Sequence, residues 1–164
     1  MSTPGPTDEL HQLAAEAVAA LKERGLTIAT AEATTGGLIG HLLTSVPGSS
    51  AVFRGGVAPY SNSMKLAIGV SAKVLDLLGA VSQGAAEELA IAVCRWSGAD
   101  IGLAESGMAG PTGRQPGLFW IALYVGKGAR PGVRARQFNF GGDRVANQRS
   151  CAEAALRMLL EAPS

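Results

Sequence analysis

Between Leu26 and Val46 the hydrophobic pattern changes period within a few residues. "LTIATAE" (26–32) is a short apolar run with β-branched residues, the signature of a strand. "GGLIGHLLTSV" (36–46) follows with apolar residues at helical spacing, and Pro47-Gly48 stops it. The same switch recurs downstream. "AVFRGGVAPY" (51–60) reads as a strand, and its Gly55-Gly56 pair predicts a bulge or a close approach. Short helices are expected over 62–68 and 72–78. Ser82 is placed to cap a helix running through Trp96, and "ADIGLAESG" (99–107) is the next strand. Upstream, Leu10, Leu13, Ala14, Ala17, Val18 and Leu21 recur at helical spacing and Gly25 ends the run. Thr7 is the expected N-cap, with Asp8 and Glu9 in the first turn, where the helix dipole favours them. "LFWIALYVG" and "VRARQFNF" alternate around "KGARPG" as an antiparallel hairpin, and a helix over 143–160 closes the chain with Ala152, Ala155, Leu156, Leu159 and Leu160 on one face. Strands that alternate with helices and end in a hairpin predict an α/β fold: a three-layer α/β/α sandwich with a mixed sheet. The length of 164 residues suits one domain, expected over 8–162, behind a Pro/Gly-containing tail at 1–7.

The apolar residues are mostly Ala, Leu and Val, and 22 glycines are scattered among them, which suits helices packed close on a sheet. The formal net charge of +1 predicts no polyanionic partner, hence no nucleic acid. Arg130, Arg134, Arg136, Arg144, Arg149 and Arg157 crowd the end of the chain and read as a solvated last strand and helix. Cys94 and Cys151 lie far apart without a CxxC and read as small buried hydrophobes. His11 and His41 have no partner at metal spacing, so no metal and no cofactor are expected. Trp96 and Trp120 read as core or interface. No apolar run reaches membrane-spanning length and "MSTPGPTDEL" lacks a signal peptide's apolar core, so a cytoplasmic protein is expected, off the membrane. The apolar face left by a small sheet predicts a homo-oligomer.

Ligands of open α/β sheets bind outside the carboxyl ends of the strands. Three loops qualify if their strands run parallel. The first, "EATTGG", couples Glu32, Thr34 and Thr35 to Gly36 and Gly37 at a helix N-terminus, where free N–H groups favour an anion. The alternative is a plain strand–helix turn with a threonine cap. No GxGxxG or GxxxxGK[ST] pattern is present, so no nucleotide fingerprint supports it. The second, "APYSNSMK", brings Tyr60, Ser61, Asn62 and Lys65 together; a lysine lodged in a pocket has a lowered pKa and can serve as a base. An ordinary surface lysine is the alternative. The preceding Ser49 and Ser50 offer two more hydroxyls. The third, "ESGMAGPTG", has Glu105 and Ser106 at a strand end, on opposite faces by alternation. Gly107, Ala109 and Gly110 after them let a ligand approach the backbone.

Taken together, "TIATAEATTGGLIGHLLTSVPGSSAVFRGGVAPYSNSMKLAIGV", "LGAVSQGAAEELA", "ADIGLAESGMAGPTG" and "FNFGGDRVANQR" resemble the CinA C-terminal domain, the nicotinamide mononucleotide (NMN) amidohydrolase family. The match is collinear from about residue 8 onward. The resemblance implies a three-layer α/β fold and metal-free hydrolysis of the carboxamide of NMN to nicotinic acid mononucleotide and ammonia. It also implies a Ser–Lys pair. The family's lysine falls on Lys65, and its serine falls on Ala33, which has no atom to attack an amide. Thr34 stands where the family pattern has Cys, and Thr34 and Ser106 are the candidate substitutes. The loop "GMAGPTGRQPG" is shorter than the family's and lacks its lysine, with Arg114 a candidate replacement. Three readings stay open: an amidohydrolase with an unusual nucleophile or a lysine-activated water, a nucleotide-binding pseudo-enzyme that holds a phosphate at residues 34–37 and at Ser49-Ser50, and an interaction module.

Overall fold

The computed structural model describes residues 6–128 and 131–162. The tail at 1–5 and Arg130 of the predicted arginine cluster lie outside that range. Helix α1 spans Pro6–Arg24, so it starts one residue before Thr7 and takes in residues 6 and 7, which had been expected in the tail. Proline suits a first helical turn, where its missing N–H has no partner to lose. Strand β1 (Ile28–Glu32) leads to the short helix α2 (Leu38–Thr44) and a single 3₁₀ turn at Ser49–Ala51. Then come β2 (Phe53–Val57), α3 (Asn62–Ile68), α4 (Ala72–Leu78), α5 (Gln83–Ser97) and β3 (Ile101–Gly107). The hairpin β4 (Leu118–Val125) and β5 (Gly132–Asn139) and the helix α6 (Arg144–Leu160) complete the chain.

The sheet has five strands in the order β2-β1-β3-β4-β5. β1 is parallel to both β2 and β3, while β4 and β5 run antiparallel. The expected mixed sheet and late hairpin are therefore present. So is the bulge: Ile28 pairs with Phe53 but Ala29 with Gly55, leaving Arg54 extra. A Cβ on Gly56 would collide with the Thr30 hydroxyl, which explains the second glycine.

The two faces of the sheet are packed differently. Ile28, Ile101, Leu103, Phe119, Ile121 and Leu123 meet α1, α2 and α6 in one core of large side chains. Each fully buried Leu or Ile there is worth roughly 1.5–3 kcal/mol relative to exposure. The other face is small: Ala29, Ala31, Ala104 and Ala122 lie under Ala86, Leu89, Ala90 and Val93 of α5. That alanine layer lets α5 come close. A Cβ on Gly102 would run into the Ala90 carbonyl oxygen. Ser82, Ser71 and Ser61 accept from the backbone N–H of Ala85, Val74 and Met64, capping α5, α4 and α3.

Because β1, β2 and β3 are parallel, the loops after them emerge along one edge of the sheet. The 3₁₀ turn with Ser49 and Ser50 precedes β2, and Val52 accepts from the Ile28 N–H at the start of β1. These two serines therefore sit at the amino ends of the strands, at the opposite edge. The expectation that they bind a phosphate is not supported: they terminate a helix–strand turn.

Candidate functional site

A crevice of about 240 Å³ opens where the three loops meet. Ala33 and Thr34 come from the first loop, Tyr60, Asn62 and Lys65 from the second, and Ser106, Gly107, Ala109 and Gly110 from the third. A groove of about 520 Å³ along α5 and another of about 310 Å³ between β5 and α6 are wider. Neither is lined by a buried titratable side chain, whereas the crevice contains one in Lys65.

Lys65 is the buried residue of α3, at 4% exposure. Its Nζ donates to the Tyr60 carbonyl oxygen at 2.9 Å. Burial pulls its pKa below the ordinary lysine value, and the negative charge of Glu105 pulls part of the way back. The ordinary surface lysine is thus ruled out, and the arrangement suits a proton acceptor. Ser61 faces away: its hydroxyl caps α3 and meets Ser63 Oγ at 2.9 Å, so it belongs to the helix start and not to the crevice lining.

Ala33 is 4% exposed and presents only a methyl group to the crevice. Neither candidate substitute has a free hydroxyl. Thr34 Oγ1 accepts from the Gly107 N–H at 2.8 Å and donates to the Gly107 carbonyl at 3.1 Å. Ser106 Oγ donates to the Ala80 carbonyl at 2.6 Å. Both hydroxyls are spent on backbone.

The expected anion site at the start of α2 is already filled by the chain itself. Glu32 accepts from the N–H groups of Ile39 at 2.6 Å and Gly40 at 2.9 Å. Glu105 Oε1 accepts from those of Thr34 at 2.6 Å and Thr35 at 2.8 Å. The two carboxylates do the work a phosphate was predicted to do. Glu32, Gly36 and Gly37 border a separate hollow of about 320 Å³ beside Gly40 and Phe53, and Thr35 turns inward to the carboxylates. Gly36 and Gly37 have φ of 65° and 108°, so glycine serves the tight turn there. Glu32, Thr35, Gly36 and Gly37 are thus not in the crevice. Glu105, expected to contact a ligand, is fully buried beneath it. Burial pushes its carboxyl up to about 6, against the Thr35 and Thr34 N–H groups and the Thr35 hydroxyl that favour its charge.

Arg144 is the site residue that sequence reasoning missed. It opens α6 behind the Asp143 cap, donates through Nη1 to the Gly110 carbonyl at 2.8 Å and through Nη2 to the Tyr60 hydroxyl at 3.2 Å, and lines the crevice. It had been grouped with the solvated arginines. That reading holds for Arg136 and Arg157, which pair with Glu161 and Glu153 at the surface. Arg114 is exposed and outside the crevice lining, where the arginine is Arg144. Asn147 Nδ2 reaches the Ala109 carbonyl and Gln148 Nε2 the Thr34 carbonyl, so α6 braces the first and third loops. The only signal for these roles was the run "GGDRVANQR", with Asp143 as a helix cap. Among the described residues no three His, Cys, Asp or Glu side chains gather as a metal site, and no helix is long and apolar enough to cross a membrane.

Residues 10–162 match the family model of the CinA C-terminal domain. A "CinA-like protein" of Chloroherpeton thalassium is 42% identical over 148 residues, which cover 86% of this chain and 35% of that protein. The chain spans about a third of the length of such relatives. A "Nicotinamide-nucleotide amidohydrolase PncC" of Enterobacter agglomerans is 39% identical over 156 residues, covering 92% of this chain and 93% of that protein. Among solved structures, the competence/damage inducible protein CihA of Agrobacterium tumefaciens superposes with a TM-score of 0.88 at 32% identity, covering 98% of each chain. The competence damage-inducible protein A of Klebsiella pneumoniae gives 0.87 at 31% identity, covering 93% of this chain and 95% of the other. With residues 10–162 matched by the family model and nearly the whole length aligned to these relatives, the chain belongs to the CinA C-terminal domain family.

Proposed function

We propose that the chain binds an NMN-like nucleotide in the crevice and that its hydrolysis of the carboxamide is impaired. One observation carries this reading: Ala33 and the buried Lys65 line the same crevice, so a base is present where the nucleophile is absent. The similarity to the Enterobacter agglomerans amidohydrolase, nearly end to end, supports the ligand class. Arg144 supplies a cation for a phosphate, Asn62 a polar contact, and Gly107 to Gly110 a close backbone wall. The volume suits one small ligand. Cytoplasmic action and a homo-oligomer go with this reading; the exposed Trp96, Leu77 and Leu78 support the second.

A slower hydrolysis by a water that Lys65 deprotonates is the second reading, favoured by the desolvated amine. The test is calorimetric NMN binding together with ammonia release by the wild type, Ala33→Ser and Lys65→Ala. Binding is expected in the wild type, with ammonia release at least roughly a thousandfold below that of Ala33→Ser. Failure of the wild type to bind NMN overturns the ligand assignment. Wild-type turnover that Ala33→Ser leaves unchanged and Lys65→Ala abolishes establishes the water route instead.

A further inference from the structure

Beneath the crevice lies a pair of carboxylates that the proposed chemistry does not use. Glu32 and Glu105 are register partners on the adjacent parallel strands β1 and β3, and both are buried, at 1% and 0% exposure. One side chain bridges them. Thr35 Oγ1 lies 2.7 Å from Glu32 Oε1 and 3.0 Å from Glu105 Oε1. A hydroxyl has one proton, so it can donate to only one of two ionised carboxylates. The other contact then sets oxygen lone pairs against each other, unless a further proton enters the array. Among the described residues Glu105 Oε2 has no hydrogen-bond partner, while Glu32 has both oxygens engaged, with Ile39 N–H on one and Gly40 N–H and Thr30 Oγ1 on the other.

We propose that Glu32, Thr35 and Glu105 form a proton-binding bridge in which Glu105 is the positioning residue of the crevice, acting through the turn at Thr34-Thr35. Ionised, Glu105 draws the Thr34 and Thr35 N–H groups onto Oε1 and so seats the Thr34 hydroxyl on both polar atoms of the Gly107 backbone. Gly107 and Thr34 line the crevice, so the wall is set from below. Protonated, Glu105 loses the charge-assisted part of those bonds and relaxes its hold on the turn. The same proton weakens the field on Lys65, whose amine Glu105 otherwise helps to keep charged.

The surroundings place the carboxyl's titration at about 6, where it responds to small changes in acidity. Glu32 faces it from β1 and adds its negative charge, and the charge of Glu105 in turn reaches Lys65 of α3 and Cys151 of α6. β4 sets the apolar Ile121 opposite it, and the one titratable residue of α2, His41, is exposed.

The inference rests on the crevice being the functional site, but its test needs no nucleotide. Amide chemical shifts of the intact, ligand-free protein are followed by NMR from about pH 4.5 to about pH 7.5. The Thr34, Thr35 and Gly107 amides should titrate together with one midpoint near 6, and Glu105→Gln should abolish the transition at all three. Thr35→Val provides a second arm that keeps both carboxylates: removal of the shared donor should move the midpoint upward. Flat Thr34 and Thr35 amides overturn the proposal, as does a transition that survives Glu105→Gln. Titration of the turn with Gly107 unmoved overturns the link to the crevice. Failure of NMN to bind, with these transitions intact, removes the ligand assignment and leaves the bridge standing.

Discussion

Glu105→Gln tests how much stability a buried carboxylate with donors on only one of its oxygens removes. The carboxyl sits at about 6 in the folded chain against an ordinary value of 4.5. The folded state therefore holds the proton more tightly than the unfolded state. Its contribution is fully present below about 4.5, falls as pH rises through about 6, and is constant above. At 1.36 kcal/mol per pH unit, that step costs about 2 kcal/mol. For a chain of this size it corresponds to roughly 4–8 °C in Tm. Glutamine keeps an oxygen to accept from Thr34 and Thr35 but cannot ionise. Other groups titrate over the same range, so the informative quantity is the Tm of the variant minus that of the wild type. Measured by thermal melts at about pH 4.5 and about pH 8, it should rise by roughly 4–8 °C in favour of Glu105→Gln. A difference that does not change with pH would refute the reasoning. So would a change in the opposite direction, which would mean that the N–H donors of the turn outweigh desolvation.

Arg144 bonds Gly110 and Tyr60 with two separate nitrogens, a fork that lysine lacks. Arg144→Lys should weaken NMN binding by about tenfold or more despite the retained charge, measured by calorimetry; unchanged affinity would place the phosphate elsewhere. Gly102→Ala drives a methyl group into the Ala90 carbonyl and should cost about 1–3 kcal/mol in urea unfolding, with little effect at the distant crevice.

How much of this was legible follows from what each feature depends on. Strand and helix order rests on local period and turn residues, and the parallel edge that gathers the three loops follows from strands alternating with helices. Lys65 was legible as a candidate, since one lysine among Tyr60, Ser61 and Asn62 stands out locally. The fate of the anion site was not. It turns on Glu105, whose carboxylate arrives from 70 residues away to take the N–H groups a phosphate was expected to take. Alternation placed Glu105 on the face opposite Ser106, but it could not say which turn that face would meet. Arg144 was hidden for a related reason: its neighbours Tyr60 and Gly110 are distant in the chain, and composition alone makes it one arginine among several.

The Thr34 side chain gives Ala33 a companion whose effect can be separated. A tetrahedral intermediate formed at position 33 needs N–H donors for its oxygen, and the Gly107 N–H at the crevice wall is taken by Thr34 Oγ1 at 2.8 Å. A serine restored at position 33 would therefore attack beside a donor that is already satisfied. Cysteine at position 34 offers a thiol, a much weaker acceptor than a hydroxyl, and should release that N–H. One such donor is typically worth about 10²–10³ in rate. Ala33→Ser combined with Thr34→Cys should accordingly release ammonia from NMN well above Ala33→Ser alone, by about tenfold to a hundredfold because the freed group is not ideally placed. Thr34→Cys alone should release no more than the wild type, since position 33 still lacks a nucleophile and the side chain at 34 is turned to the Gly107 backbone. Equal rates for the single serine variant and the double variant would show that Gly107 does not face the oxyanion. In that case Thr34 is a structural clasp between the first and third loops, and the missing serine by itself accounts for the proposed impairment.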